Sequence, residues 1–302
     1  MILVNKLNNR KFNKIGFIGT GIMGNPMCVH LLNSNYELYI FNRSKEKASN
    51  LLKLGAHWCS NPKEVALKSE LIITIVGFPE DVTHVYFGPD GIFEGIRPDT
   101  ILIDMTTSKP HIAIEIYEKA KEKSAFSLDA PVSGGQKGAI EGKLAIMVGG
   151  QREIFDNILP IFNILGENIS YMGKAGAGQH TKMSNQILIA STMVGVVESL
   201  LYGYKAGINL DDIINVIGKG AAASWSINNL GRKIVDKNFD PGFYIKHFIK
   251  DMGIALQEAK NMNLSLPGLS LVYQFYMSAK AMGFENLGTQ GLYKVFERIN
   301  NL

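Results

Sequence analysis

Between Lys14 and about Gly173 the chain alternates short, β-branched apolar runs with longer stretches whose apolar positions recur at helical spacing. The runs are KIGFIG from Lys14, YELYIF from Tyr36, LIITIV from Leu71, TILIDM from Thr100, FSLDAP from Phe126, LAIMVGG from Leu144 and NISYMG from Asn168. Runs of this kind, separated by amphipathic segments, predict a parallel sheet with crossover helices. After Gly178 the pattern changes. QHTKMSNQILIASTMVGVVESLLYGYKAG from Gln179, DDIINVIGKG from Asp211, HFIKDMGIALQEAKNM from His247 and GTQGLYKVFERINNL from Gly288 are helical in period, with Gly or Pro between them. The reading is α/β: an extension over 1–13, a parallel-sheet domain over 14–176 and an all-α domain over 177–302, the long helix at the boundary bridging the two.

The first strand pattern runs into Gly19-Thr20-Gly21-Ile22-Met23-Gly24 and then into NPMCVHLLNS, a helical pattern. In a G-x-G-x-x-G turn Gly19 would make the tight turn, Gly21 would let the backbone approach a pyrophosphate, and Gly24 would let the helix pack on the strand. The helix N-terminus then faces the anion. Because the motif follows one strand, opens a helix and precedes a second strand, the N-terminal domain reads as a Rossmann dinucleotide-binding domain. After the second strand an NAD fingerprint expects an acid for the ribose 2′-hydroxyl. This chain has Asn42-Arg43-Ser44, a charged fork and a hydroxyl suited to a 2′-phosphate, so NADP is favoured, with NAD the alternative. The plainer reading makes Arg43 a solvated residue at the start of a charged helix.

Composition narrows the rest. The chain has 302 residues, 46% hydrophobic and 19% charged, with a formal net charge of +4 and no long basic run, so nucleic acid is not an expected partner. Cys28 and Cys59 have no metal spacing, and the six histidines form no HxxxH or HExxH pair, so no metal is expected. The first residues do not read as a signal peptide, and the apolar stretch Ile187 to Leu201 is broken by Ser191, Thr192, Glu198 and Ser199. No membrane span and a cytoplasmic location are therefore expected.

Two segments carry candidate chemistry. Ser133-Gly134-Gly135 follows a strand, where unhindered backbone N–H groups beside a hydroxyl could seat a carboxylate; equally, Pro131 and the glycines could only shape a turn. Lys182 and Asn185 stand at i and i+3 on one helical face, with Gln186 beside them. A lysine in the first turn of a helix opposes the macrodipole and, partly desolvated there, should have a depressed pKa suited to proton exchange. Trp225, in Ala221-Ala-Ala-Ser-Trp-Ser226, is read either as a wall over the substrate pocket or as a core tryptophan.

In order and spacing, GFIGTGIMGNPM, LIDMTTSKP, LDAPVSGG, GAGQHTKMSNQ and HFIKDMGIAL resemble the motifs of the β-hydroxyacid dehydrogenases, the family of 3-hydroxyisobutyrate dehydrogenase, tartronate semialdehyde (2-hydroxy-3-oxopropionate) reductase and the glyoxylate/succinic semialdehyde reductases. The resemblance implies that Lys182 is the catalytic acid/base and Asn185 its support. It implies further that Ser133, Gly134 and Gly135 hold the substrate carboxylate, that Thr107 contacts the nicotinamide end of the cofactor, and that Lys250 reaches the cofactor from the helical domain. It also implies a small carboxylate-bearing substrate and a homodimer or homotetramer. Gln186 departs from the pair of asparagines in several members, though tartronate semialdehyde reductase-like members share it, so 3-hydroxyisobutyrate itself does not follow as the substrate. The competing readings are an imine reductase, which typically lacks the lysine, and a nucleotide-binding assembly protein without catalysis.

Overall fold

The computed structural model describes residues 12–302. Residues 1–11 of the expected extension lie outside the described residues; Phe12 is buried in the core, and the Asn13 carbonyl accepts from the Glu37 N–H at 3.0 Å. The chain divides into two compact units, the first ending at Lys182 and the second running Met183–Leu302.

The first unit is built on β1 Lys14–Ile18, β2 Glu37–Phe41, β3 His57–Trp58, β4 Leu71–Thr74, β5 Ile101–Asp104, β6 Phe126–Asp129, β7 Val132–Ser133, β8 Leu144–Gly150 and β9 Gly166–Gly173. Their order is β3-β2-β1-β4-β5-β6-β8-β7, with β9 beside β8. Strands β1 to β6 are parallel. They read as unbroken apolar runs because both faces are covered. In β5, Ile101 and Ile103 pack with Leu31, Met27 and Phe162 on one side, while Leu102 packs with Val82, Tyr86 and Ile116 on the other. Proline opens three of the covering helices, Pro62–Lys68, Pro79–Phe87 and Pro110–Glu122, where its missing N–H costs no hydrogen bond.

The sheet departs from the parallel expectation at β8, which pairs antiparallel with β6 and β7 and parallel with β9. The connection from β7 to β8 holds only the short helix Gly135–Glu141, less than the dozen or so residues a parallel crossover needs. Strands β3 and β7, two residues each, are too short to show a period, and the sequence pattern did not reveal them.

In the second unit, helices Leu210–Ile217, Ile245–Asn261, Pro267–Ala281 and Leu292–Ile299 pack around Met193, Val197, Leu200, Phe248, Met252, Tyr276 and Val295. Tyr276 stands edge-on to Phe248 at 5.0 Å and donates its hydroxyl to the Thr289 carbonyl at 2.9 Å. The division between the units falls inside the helix Ala177–Lys205. Among the described residues, this helix alone is long and apolar enough to cross a membrane by length and composition, a longer span than the Ile187–Leu201 stretch suggests. Its apolar residues from Met193 to Leu201 supply much of the core of the second unit.

Candidate active site

Two of the three loop glycines are fixed by packing. Gly19 has φ 98°, and a Cβ there would strike the Ile75 carbonyl; a Cβ on Gly24 would strike the Gly19 carbonyl and crowd the Phe17 ring. Gly21 is different, with nothing within 4 Å of the place a Cβ would occupy. No contact within the protein requires glycine there, and the space stands over the start of the helix Gly24–Asn33, which has no side-chain cap and no acid in its first turn. Thr20 is buried with its hydroxyl unpartnered. An uncapped helix start, a cradle that a Cβ on Gly21 would enter and a buried, unpartnered Thr20 hydroxyl fit the pyrophosphate of a dinucleotide; residues Gly19 to Gly24 would hold it.

Asn42 brackets this loop: its Oδ1 accepts from the Thr20 N–H at 3.2 Å and its Nδ2 donates to the Ser44 carbonyl at 2.8 Å. The side chain of Asn42 therefore shapes the loop that Ser44 belongs to. Arg43 points into solvent, its side chain 90% exposed, with Nη1 3.7 Å from the Asp81 carboxylate. Asp81 also caps the Phe78 N–H at 3.1 Å. An acid does accompany the fork, therefore, but from a distant helix.

At the ends of β5 and β6, Asp104 and Asp129 are register neighbours, both buried. The Asp104 Oδ1 accepts from Thr74 Oγ1 at 2.8 Å and from the Thr106 N–H at 3.1 Å. Burial pushes its carboxyl up to about 6, against the hydrogen bonds and with help from the Asp129 charge. Asp129 accepts from the Gly176 N–H at 2.8 Å and the Gln179 N–H at 2.9 Å, so it caps the helix Ala177–Lys205 from about fifty residues away. Burial raises its pKa too, with those backbone hydrogen bonds opposing. Gln179, fully buried, donates to the Thr106 carbonyl at 2.8 Å and accepts from the Ser108 N–H at 2.9 Å. None of these partnerships was visible in the sequence. The one available signal was a carboxylate at the inner end of each of two buried apolar strands, a position where a charge needs a reason.

Lys182 lies on this helix and is 6% exposed. The expectation of a first-turn lysine needs correction: the helix begins at Ala177, which puts Lys182 in the second turn, and the positive end is already engaged by the Asp129 carboxylate. Opposition to the macrodipole falls off within the first turn, so the terminus is not what gives this lysine its special setting; its burial is. Close by in the fold of this unit, Thr107 is half-buried in the loop between Thr106 and Ser108. Ser133 closes β7, and Gly134 and Gly135 follow with φ of 127° and 60°. Both positive φ values require glycine at little cost, so the turn reading of these residues has its own physical basis.

In the second unit a polar chain runs from the half-buried Asn185 through the buried Gln186 and Asp251 to Lys250. Asn185 Nδ2 donates to Gln186 Oε1 at 2.8 Å, Gln186 Nε2 donates to Asp251 Oδ2 at 2.6 Å, and Lys250 Nζ stands 3.0 Å from Asp251 Oδ1. Gln186 thereby bridges Asn185 and Asp251. Trp225 is 63% exposed, so it is not a core tryptophan. It immediately precedes a π-helical turn, Ser226–Gly231, a rare element that sequence periodicity does not signal. No group of three or more potential metal ligands occurs among the described residues.

The comparisons with known proteins cover both units. Residues 14–173 match the NAD binding domain of 6-phosphogluconate dehydrogenase, and residues 176–296 match the family described as NAD-binding of NADP-dependent 3-hydroxyisobutyrate dehydrogenase. The chain is 52% identical to an uncharacterized oxidoreductase of Bacillus subtilis, YkwC, over 93% of this chain and 98% of that one. It is 48% identical to the probable mitochondrial 3-hydroxyisobutyrate dehydrogenase-like 1 of Arabidopsis thaliana, over 96% of this chain and 86% of the relative. Among solved structures, that of Mycobacterium tuberculosis 3-hydroxyisobutyrate dehydrogenase with L-serine superposes with a TM-score of 0.86 at 26% identity, covering 95% of this chain and 99% of that one. The dinucleotide cradle is thus that of a nicotinamide-dependent oxidoreductase, and the chain belongs to the 3-hydroxyisobutyrate dehydrogenase family of NAD(P)-dependent 3-hydroxyacid dehydrogenases.

Proposed function

We propose that the protein interconverts a small β-hydroxyacid and its semialdehyde, with NADP(H) preferred over NAD(H) and Lys182 as general acid/base. The observation that carries this is the burial of Lys182 on a helix locked to the sheet by Asp129 and Gln179. A lysine ordinarily stays solvated, and one held this way is a positioned proton donor. When bound, the nicotinamide supplies the hydride. Lys182 then gives its proton to the carbonyl oxygen as carbon is reduced, and in reverse accepts the hydroxyl proton. Asn185 supports the lysine, Thr107 and Lys250 contact the cofactor, and Trp225 limits the size of the substrate.

Ser133 and the Gly134 and Gly135 amides are assigned to the substrate carboxylate. Tartronate, succinic and methylmalonate semialdehydes and glyoxylate carry the required carboxylate and carbonyl; L-serine, the compound named with the mycobacterial relative, carries a carboxylate and a hydroxyl, the alcohol-level counterpart of that pattern. The test is steady-state kinetics with NADPH on a panel of semialdehyde acids, each beside its methyl ester. Loss of the carboxylate leaves its donors unpaired, so the acid should exceed the ester by at least about a hundredfold in kcat/KM, roughly 2.7 kcal/mol. Comparable values would leave Ser133-Gly134-Gly135 as a turn and no more.

A further inference from the structure

We infer that Gln179 is a positioning residue that fixes the Thr107 segment against the helix carrying Lys182. The inference rests on the roles proposed above for Thr107 and Lys182. Its side-chain amide meets the backbone on both sides of Thr107: Nε2 donates to the Thr106 carbonyl and Oε1 accepts from the Ser108 N–H, at 2.8 and 2.9 Å. A primary amide reproduces the donor and acceptor of a peptide group, so this contact is a rung of strand pairing made by one side chain. Thr106, Ser108 and Gln179 are all buried, so no solvent stands ready to replace either bond.

Three further bonds make the arrangement rigid. The Gln179 N–H is held by Asp129 Oδ2 at 2.9 Å, the Thr106 N–H by Asp104 Oδ1 at 3.1 Å, and Thr106 Oγ1 accepts from the Val76 N–H at 3.0 Å. The segment leaving β5 is thereby tied on one side to the end of β4 and on the other to the helix. Gln179 and Lys182 are three residues apart and share a helical face. Whatever displaces Gln179 changes where Thr107 stands relative to the proton donor, while the cradle at Gly19 to Gly24, on a different loop, keeps its own bonds. Misplacement on the scale of an ångström is enough to slow an oriented transfer by about a hundredfold.

The test uses Gln179→Met, which keeps the volume and removes both bonds, and Gln179→Glu, which keeps the acceptor for Ser108. A protonated carboxyl can also donate to the Thr106 carbonyl, so Gln179→Glu should regain activity relative to wild type as pH falls. In the cofactor-free protein, amide exchange of the segment Met105 to Lys109 should accelerate at least about tenfold in Gln179→Met, with β1 and β2 unchanged. With NADPH, the dissociation constant from fluorescence titration should stay within about threefold, kcat should fall ten- to a hundredfold, and the primary deuterium isotope effect on kcat should rise. Unaltered exchange at 105–109, or a lower melting temperature with kcat per folded molecule and isotope effect unchanged, would overturn the inference. Lys182→Ala, measured alongside, tests the underlying reading separately: if it retains turnover the proton-donor assignment fails, whereas the exchange result in the Gln179 variants judges the bracket by itself.

Discussion

Two helices begin at the carboxyl ends of strands in the first unit, and their N-termini are treated in opposite ways. The helix Gly24–Asn33 starts with no side-chain cap and no acid in its first turn, under an empty space at Gly21. The helix Ala177–Lys205 starts against a buried carboxylate, Asp129, that takes the Gly176 and Gln179 N–H groups. Each terminus carries the same partial positive charge. Left open, it would receive an anion from outside; sealed from within, it becomes a fixed mount on which a side chain can be aimed. The difference teaches that a helix end contributes to binding in the first case and to geometry in the second, and each can be broken without the other.

The largest effect is expected at the sealed helix. Lys182→Ala should lower turnover by about two to four powers of ten, the range for a general acid/base, while the dissociation constant for NADPH changes little. Stopped or steady-state rates with saturating cofactor check this, and a variant keeping half of wild-type turnover would remove Lys182 from the chemistry.

Burying a second carboxylate, Asp104, beside the one that seals the helix has a cost that pH exposes. The Asp104 carboxyl stands at about 6 in the folded protein, first through burial and in part through the Asp129 charge, against about 3.9 in the unfolded chain. The folded state holds this proton more tightly. Its contribution to stability is therefore full below about pH 4 and is lost as pH rises through about 6, amounting to roughly 3 kcal/mol by pH 7. Asp104→Asn keeps an acceptor for Thr74 and Thr106 without the charge, so urea unfolding should show the variant gaining on wild type by about that amount between pH 4 and pH 7. A constant difference across the range would mean that Asp104 is not the group that titrates.

At the open terminus, Gly21→Ala should separate binding from stability. No protein atom lies near the added methyl and φ at Gly21 is not positive, so the melting temperature should hold or rise slightly, while NADPH binding weakens about tenfold or more. Gly24→Ala makes the contrast, because its methyl would strike the Gly19 carbonyl; it should lose stability as well as binding. If Gly21→Ala binds NADPH as wild type does, the space over the helix is not where the pyrophosphate goes.

The same contrast explains what was legible in the sequence. The open terminus is local: strand, glycine loop and helix are contiguous in the chain, although the carbonyl that excludes a side chain at Gly19 comes from Ile75. The continuous apolar runs of β1, β4 and β5 announced themselves because both faces are buried. The sealed terminus is not local. Asp129 and Gln179 are fifty residues apart, and Gln179 meets Thr106 and Ser108 across more than seventy. The helix start near residue 177 is legible from the change of pattern, but the carboxylate that caps it is not, because Asp129 lies on β6 and not beside it in the chain. Gln186 stands out in the sequence only as a departure from a pattern, yet in the fold it bridges Asn185 and Asp251.

The smallest expected effect lies at the edge of the open site. The sequence offers Arg43 as a fork for the 2′-phosphate of NADP, but its side chain is 90% exposed and faces Asp81 at 3.7 Å. An exposed guanidinium is screened by solvent and salt, and Asp81, 35% exposed, both competes for it and repels a phosphate. The preference for NADPH should therefore be modest. Arg43→Ala is expected to weaken NADPH by about fivefold and NADH hardly at all, with the difference shrinking as salt is raised. Asp81→Asn, which removes the repulsion and keeps an oxygen for the Phe78 N–H, should shift the preference the other way, strengthening NADPH by a similar factor. Titrating both cofactors against the three proteins at two salt concentrations decides it: parallel losses for NADPH and NADH in Arg43→Ala would show that the residue meets a part the two cofactors share, and no loss for either would leave it a solvated residue at the start of a helix.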